Sequence, residues 1–197
     1  MGNNYIFSTT TEKDCISMWS YYSDNMDAYS IEFDRSKLKK VLYDIFEEKL
    51  FFGEVFYSDK DIKQYVESFF SIFEPFYKKN FPLSPERLID FSFNIKNGMS
   101  FIYSLVKQYG HHSEKEYRFS VNFNESIKKE NVRLDFENKR GLFVPTLKVN
   151  VEGKLPILKI MLGPKNSNDL AEASLRRYLD SKGYTDVEIE RSALLIR

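Results

Sequence analysis

The densest group of chemically active side chains lies just past the middle of the chain, between His111 and Arg118. If Glu114, Glu116 and Arg118 enter a β-strand, their even spacing places two carboxylates and a guanidinium on one face. Two close carboxylates shift each other's pKa values apart, so that one of them can act as a base or stabilise a cationic transition state. On the residues alone, the favoured alternative is an exposed strand start in which the glutamates pair with Arg118.

The other reactive side chains form no ligand set with recognisable spacing. His111 and His112 are adjacent, but no cluster of Cys, Asp or further His accompanies them, so we expect no metal. Cys15 is the only cysteine, and an inert buried thiol is its favoured interpretation. One cysteine excludes an intramolecular disulfide, and with no cleavable leader in the sequence we expect a cytoplasmic protein.

Two segments near the N-terminus have side chains that could hold a ligand. Ser8 and Thr9 begin a run of four hydroxyls at the end of a predicted strand, which can bind a ribose or phosphate or cap the next turn. Trp19 and Tyr22 lie in an aromatic segment that could stack a planar ligand, although a core anchor is the favoured role.

Composition limits the classes of partner. The 197 residues include 29 basic and 29 acidic side chains, so no net charge draws the chain to nucleic acid or to an anionic membrane. No apolar stretch approaches the roughly 18 residues that span a bilayer. Aromatic residues make up 16% of the chain and mostly recur at helical spacing, which favours core filling over base stacking. Their excess over alanine is typical of an AT-rich bacterial coding sequence.

The elements that must position these residues do not alternate regularly. Strand-like segments precede a helical block at about residues 59–108, and four further strand-like runs follow it, the first beginning at Tyr117. A C-terminal helix then precedes a last strand at Val187–Ile196. This pattern predicts the α+β class: a mixed, largely antiparallel sheet with a helical insert and a C-terminal helix–strand unit, in one domain over residues 1–197.

Three breaks are expected inside these elements. Gly53 suggests a bulge or turn in a strand from Leu50 to Tyr57. Pro75 is expected to kink or end the first helix of the insert, and Asn97-Gly98 to interrupt the second, which begins at Ser84 and runs to about Gln108.

Several short motifs occur in a fixed order along the chain. They are Phe7-Ser8, Met18-Trp19-Ser20-Tyr21-Tyr22, Ile31-Glu32-Phe33-Asp34, Lys107, Glu114-Lys115-Glu116-Tyr117-Arg118, the apolar run from Ile160 to Pro164, and Ser192 with Arg197. In this order they resemble a bacterial family catalogued as domain of unknown function 2971. That family name implies no reaction.

A second resemblance, to ADP-ribosyltransferases, rests on two motifs. Phe7-Ser8-Thr9-Thr10 is similar to the Ser-Thr-Ser strand of those enzymes, and Glu114-Lys115-Glu116 to their Glu-x-Glu motif. The resemblance implies NAD as the substrate, with Ser8 and Thr9 steadying the NAD-binding strands. It also implies that Glu116 holds the nicotinamide ribose and stabilises an oxocarbenium-like transition state, while Glu114 orients the acceptor.

The same resemblance implies the rest of the cofactor site. Tyr22 or Trp19 would stack on the nicotinamide, and Arg118 completes the expected binding set. Those enzymes also supply an Arg from a first strand, and no Arg precedes Ser8. We therefore expect either an N-terminally shortened member or a structural role for the glutamates.

Two functions from different classes follow. The first is an ADP-ribosyltransferase-like, NAD-using bacterial domain of toxin or phage-defence type that modifies an unidentified acceptor. The alternative is a non-catalytic domain that binds a partner protein. The transferase requires Ser8 and Glu116 to line one cleft, whereas an exposed apolar patch on the insert helices favours partner binding.

Overall fold

The computed structural model describes residues 3–23, 26–123, 130–166 and 168–194, and their helices and strands confirm the predicted α+β class. In chain order the elements are β1 (Asn3–Thr10), α1 (Ile16–Tyr22), β2 (Tyr29–Phe33), α2 (Arg35–Phe46), β3 (Leu50–Glu54), α3 (Asp59–Asn80), α4 (Pro85–Ser104), β4 (Glu116–Phe123), β5 (Val132–Lys139), β6 (Leu142–Val149), β7 (Ile157–Leu162), α5 (Asp169–Ser181) and β8 (Glu188–Arg191). Short 3-10 helices at Glu47–Lys49 and Tyr109–Glu114 precede β3 and β4.

The chain divides into two compact units, each assembled from separate stretches. The first unit comprises Met1–Thr9 and Lys49–Ile127, and the second comprises Thr10–Glu48 and Lys128–Arg197. The strands are accordingly shared among several sheets, which are mostly antiparallel. That the whole chain folds as one domain stays a prediction.

The sheet of the first unit has the order β1-β4-β3, so β4 is its central strand. β3 pairs with β4 antiparallel and in continuous register, with Gly53 opposite Arg118. The bulge expected at Gly53 is therefore absent, and β3 ends at Glu54. Glycine leaves room there for a neighbour: a Cβ on Gly53 would lie 2.9 Å from the Leu105 side chain, which would have to shift.

The helical insert is a hairpin of α3 and α4. Both helices begin at serine N-caps, since the Asp61 N–H donates to Ser58 Oγ and the Arg87 N–H donates to Ser84 Oγ. Neither helix ends at the expected position, because α3 continues through Pro75 to Asn80 and α4 continues through Asn97-Gly98 to Ser104. A kink of α3 at Pro75 stays a prediction.

Aromatic packing between the two helices accounts for this continuity. On either side of Pro75, Phe73 and Tyr77 both contact the ring of Phe91, with centroid distances of 5.8 and 6.1 Å. Gly98 lets the Phe69 ring approach the backbone of α4, since a Cβ at this position would lie 2.2 Å from that ring. Gly98 therefore allows α3 and α4 to pack closely and does not interrupt α4.

The prediction that the phenylalanines fill the core holds for β4 and fails for much of the insert. Phe119 and Phe123 of β4 are buried, whereas Phe70, Phe81 and Phe93 of the hairpin are exposed. Helical spacing identified one face of each helix, but it could not show how much of that face would find a neighbour. Among the described residues, no helix combines the length and apolarity needed to cross a membrane.

The second unit contains a sheet of order β2-β7-β8 and a separate β5–β6 ribbon. β2 pairs with β7 antiparallel, and β7 pairs with β8 parallel after the crossover through α5. Ile160, Leu179 and Val187 form the core under α5. The last strand is shorter than predicted among the described residues, because β8 begins at Glu188 and ends at Arg191. The predicted end, Ile196, lies outside the described residues.

The β5–β6 ribbon turns between Lys139 and Leu142. Arg140 and Gly141 both have positive φ angles, 52° and 83°, as the tight hairpin turns that match strand twist require. Lys139 lies opposite Leu142 on the two sides of this turn.

Asp14 joins two distant stretches of the second unit. Its carboxylate accepts hydrogen bonds from the Trp19 indole N–H at 2.7 Å, from the Ser192 hydroxyl at 2.8 Å and from the Ala193 N–H at 2.8 Å. Trp19 is only 5% exposed. This clamp fixes the segment after β8 against the start of α1.

We expect Asp14→Ala to lower the free energy of unfolding by about 2 to 3 kcal/mol, because three donors lose a charged acceptor. Urea unfolding monitored by Trp fluorescence measures the change. Asp44→Ala, at an exposed position of α2, is the control and should stay within about 0.5 kcal/mol of wild type. Equal stabilities of the Asp14→Ala and Asp44→Ala chains would contradict the clamp.

Candidate functional site

Glu114 and Glu116 are brought together by a backbone change between them. The 3-10 helix ends at Glu114, β4 begins at Glu116, and Lys115 between them has the left-handed φ and ψ angles 39° and 55°. The predicted even spacing within one strand is therefore wrong for Glu114, which precedes the strand. The left-handed residue nevertheless turns both carboxylates toward the same ammonium, that of Lys107.

Lys107 is positioned by a short backbone bridge after α4. The Lys107 N–H donates to the Phe56 carbonyl at 3.1 Å, next to a parallel bridge between Phe56 and Val106. Its Nζ then lies 2.9 Å from Glu114 Oε2 and 2.5 Å from Glu116 Oε1. One lysine thus links the two carboxylates.

Two further side chains occupy the remaining carboxylate oxygens. Arg118 Nε donates to Glu116 Oε2 at 2.6 Å, and His111 Nδ1 lies 2.7 Å from Glu114 Oε1. Arg118 Nη1 also donates to the Ser104 carbonyl at 2.6 Å, which satisfies an open acceptor at the end of α4. We call Lys107, His111, Glu114, Glu116 and Arg118 the charge network.

The charge network is buried at its centre and open at one side. Glu114 is 3% exposed and Glu116 4%, whereas the His111 side chain is 44% exposed. The expectation of an exposed strand start is therefore wrong, although the expected pairing of glutamate with Arg118 is present. Burial requires this pairing, because a buried carboxylate without a partner would lower the stability of the fold.

The pKa shifts near the network follow from its geometry. Burial disfavours the Lys107 ammonium, but the hydrogen bonds and negative charges of Glu116 and Glu114 outweigh it and raise the pKa of Lys107. Burial also raises the pKa of the Tyr57 phenol, whose oxygen accepts the Glu116 N–H at 2.9 Å. Both groups therefore keep their protons at neutral pH.

This arrangement suits electrostatic stabilisation better than free general-base chemistry. Lys107 and Arg118 balance the two glutamates in formal charge, and each carboxylate oxygen already has a partner. The half-exposed His111 ring is the member of the network that solvent reaches most easily. Among the described residues, no group of three or more His, Cys, Asp and Glu side chains could hold a metal ion.

Ser8 and Thr9 lie in β1, beside the strand that carries Glu116. Asn122 Nδ2 donates to Asn4 Oδ1 at 3.1 Å, so these two residues share a sheet face. Because strand side chains alternate, Ser8 lies on the face of Glu116 and Arg118, while Thr9 points the other way. The Thr9 hydroxyl donates to the Tyr117 carbonyl at 2.9 Å and is occupied in holding β1 to β4.

Trp19 and Tyr22 belong to the second unit, and the other predicted site residues to the first. Trp19 is a buried anchor bound to Asp14, whereas Tyr22 is exposed. Ser192 shares the same Asp14 clamp, and its motif partner Arg197 lies outside the described residues. Cys15, whose favoured interpretation was a buried thiol, is partly exposed at the start of α1.

A cavity of about 520 Å³ in the second unit includes none of the predicted site residues. It lies between α5 and β8, and Arg191 binds Asp169 and Glu172 at its edge. The sequence offered no motif for this groove, since its charges occur at ordinary helix and strand positions.

The fold and the network define an α+β protein with a buried cluster of paired charges. The family of proteins of unknown function named DUF2971 matches residues 18–119, just over half of the 197 residues, and the chain belongs to this family. The matched part includes Trp19, Lys107, Glu114, Glu116 and Arg118. No curated protein and no solved structure matches the chain.

We expect Lys107→Met to lower the free energy of unfolding by about 3 kcal/mol, because it leaves buried carboxylates without their shared cation. Chemical denaturation at neutral pH measures the loss. Lys63→Met removes an exposed lysine that lies 3.9 Å from Glu67 on α3 and should change stability by less than about 1 kcal/mol. A loss for Lys107→Met no larger than that control would show that the network contributes little to stability.

Proposed function

We propose that this chain is an ADP-ribosyltransferase-like enzyme that cleaves NAD at the face of β4 carrying Glu116. The observation that carries the proposal is the shared sheet face of Ser8, Glu116 and Arg118 on neighbouring strands. Hydroxyl, carboxylate and guanidinium groups are the types needed to hold a ribose and its phosphates. The proposed setting is toxin or phage-defence activity in the bacterial cytoplasm.

In the proposed reaction, the bond between ribose C1′ and the nicotinamide nitrogen breaks, and nicotinamide leaves with the bonding electron pair. The oxygen or nitrogen of an acceptor bonds to C1′ and loses its proton to solvent. Glu116 stabilises the positive charge that develops on the ribose, and Glu114 orients the acceptor. Arg118 holds the Glu116 carboxylate in one orientation through a contact of 2.6 Å.

Burial of Glu116 sets a requirement for this reaction. The carboxylate is 4% exposed, so NAD must displace part of the network, and the contact with Lys107 is the first candidate for opening.

Release of nicotinamide from NAD by the purified chain tests the proposal. We expect release by the wild type and a loss of about 100-fold or more in Glu116→Gln, which keeps the side-chain shape but removes its charge. Ser8→Ala, at an exposed strand position, should reduce release without changing stability. Glu67→Gln, on the exposed side of α3, is the matched control and should leave release unchanged.

Two results would contradict the transferase. No nicotinamide release by the folded wild type would remove NAD as the substrate. Equal release by wild type and folded Glu116→Gln would place the reaction elsewhere. Circular dichroism of each variant separates loss of the site from loss of the fold.

One observation favours the second candidate, a partner-binding domain. Large apolar side chains are exposed along both helices of the insert, including Ile72 at 73%, Ile89 at 69% and Phe93 at 62%. Exposed apolar area of this kind is typical of an interaction surface. A partner bound there is compatible with catalysis at β4, because the two proposals use different residues.

A further inference from the structure

The outer edge of β8 is open beside the groove between α5 and β8. β8 is the last strand of the sheet β2-β7-β8, so β7 pairs with only one of its two edges. In the part of the chain that the structure describes, no strand pairs with the other edge. An open edge presents backbone N–H and C=O groups to any extended chain that reaches it.

The hydrogen bonds around β8 show which of its backbone groups point outward. The Ser192 N–H donates to the Leu162 carbonyl of β7 at 3.0 Å, so the even-numbered residues of β8 face β7. The Val187 carbonyl, just before the strand, instead accepts a hydrogen bond from Arg176 Nη2 of α5 at 2.9 Å. Because the backbone groups of a strand alternate in direction, the N–H and C=O of Ile189 also point outward. They form the centre of the open edge.

The groove beside this edge has room for a side chain of an added strand. Its volume is about 520 Å³, and its apolar lining includes Ala173 of α5 and Ile189 of β8. This volume lies in the range of ligand pockets, about 300 to 1,000 Å³. Directly opposite residues of paired strands lie on the same face of the sheet. An apolar side chain opposite Ile189 would therefore enter the groove.

The opposite face of β8 has an excess of negative charge. Glu188 and Glu190 lie on that face and share the Lys159 ammonium, at 3.4 and 2.9 Å, while their side chains are 66% and 43% exposed. On β2, Glu32 lies opposite Lys159 and pairs with Lys13 at 3.5 Å. Three carboxylates thus face two ammonium groups. Basic side chains opposite the two glutamates of β8 would balance the excess, since opposite charges stabilise a cross-strand pair.

The same glutamates disfavour a second copy of β8 as the added strand. Two-fold pairing of strands is antiparallel, and residues with outward backbone groups must lie opposite each other. Pairing Ile189 with itself places Glu188 opposite Glu190 of the second copy. Pairing Ile189 with Arg191 places Glu190 opposite its own copy. Like charges directly opposite each other destabilise both registers.

We propose that the open edge of β8 binds an extended peptide in which one apolar residue lies between two basic residues. The apolar side chain enters the groove against Ala173 and Ile189, and the basic side chains lie opposite Glu188 and Glu190. The peptide backbone exchanges hydrogen bonds with Ile189 and adds a strand to the sheet. This site uses no residue of the charge network and is independent of the proposed reaction with NAD.

Fluorescence anisotropy with a labelled peptide tests the site. The probe has Lys-Val-Lys at its centre, with valine chosen because β-branched residues favour strands. We expect saturable binding of this probe by the purified chain. A matched peptide with Glu-Val-Glu at its centre should bind at least about tenfold more weakly, because its charges repel those of β8.

Two variants locate the binding to β8 and its groove. Ala173→Phe fills the groove and should weaken binding of the Lys-Val-Lys peptide at least about tenfold. Glu188→Lys with Glu190→Lys should reverse the preference, so that the Glu-Val-Glu peptide binds more tightly. The control, Glu137→Lys with Glu152→Lys, makes the same charge change at two exposed positions and should leave both affinities unchanged.

Four results would overturn the proposal, with circular dichroism showing that each variant is folded. They are no saturable binding by the wild type, equal binding of the two peptides, binding that survives Ala173→Phe, and an unchanged preference after the exchange of Glu188 and Glu190. Light scattering provides a further test. A wild-type dimer that Ala173→Phe converts to a monomer would assign the edge to a second copy and also overturn the proposal.

Discussion

Two carboxylates buried around one ammonium are the constraint on which the first unit depends. Glu114 and Glu116 are each less than 5% exposed, and burial without Lys107 would leave both charges poorly compensated. Lys107 can reach them only if α4 ends at Ser104 and the chain then bridges to Phe56. The end of the helix, the start of β4 and the left-handed Lys115 therefore belong to one arrangement.

The same network limits which chemistry the site can perform. A carboxylate fixed between Lys107 and Arg118 has a defined position and charge, which are the properties needed to stabilise a developing cation. It is less suited to take a proton freely. The proposed reaction with NAD therefore assigns Glu116 an electrostatic role. Tyr57, which accepts the Glu116 N–H, and His111, which holds Glu114, position the carboxylates.

Local patterns in the sequence predicted the elements well and their surroundings less well. The start of the second insert helix at Ser84 was predicted, because N-capping is a local property, and Ser84 caps α4 in the structure. The Glu114–Glu116 cluster was also predicted, but its burial and its bond to Lys107 depend on a bridge between segments distant in sequence. Neither helix ends at Pro75 or Gly98 as their local preferences suggest, since aromatic contacts across the hairpin outweigh those preferences. Asp14 carried no motif, because its partner Ser192 lies 178 residues away.

A double-mutant cycle between Lys107 and Glu116 tests the central claim most directly. The stabilities of wild type, Lys107→Met, Glu116→Gln and the double variant give the coupling free energy of the pair. If the network organises the first unit, the coupling is about 1 to 3 kcal/mol, because each substitution costs less once the other charge is gone. Additive effects, within about 0.5 kcal/mol, would contradict that account and reduce the network to a set of independent contacts.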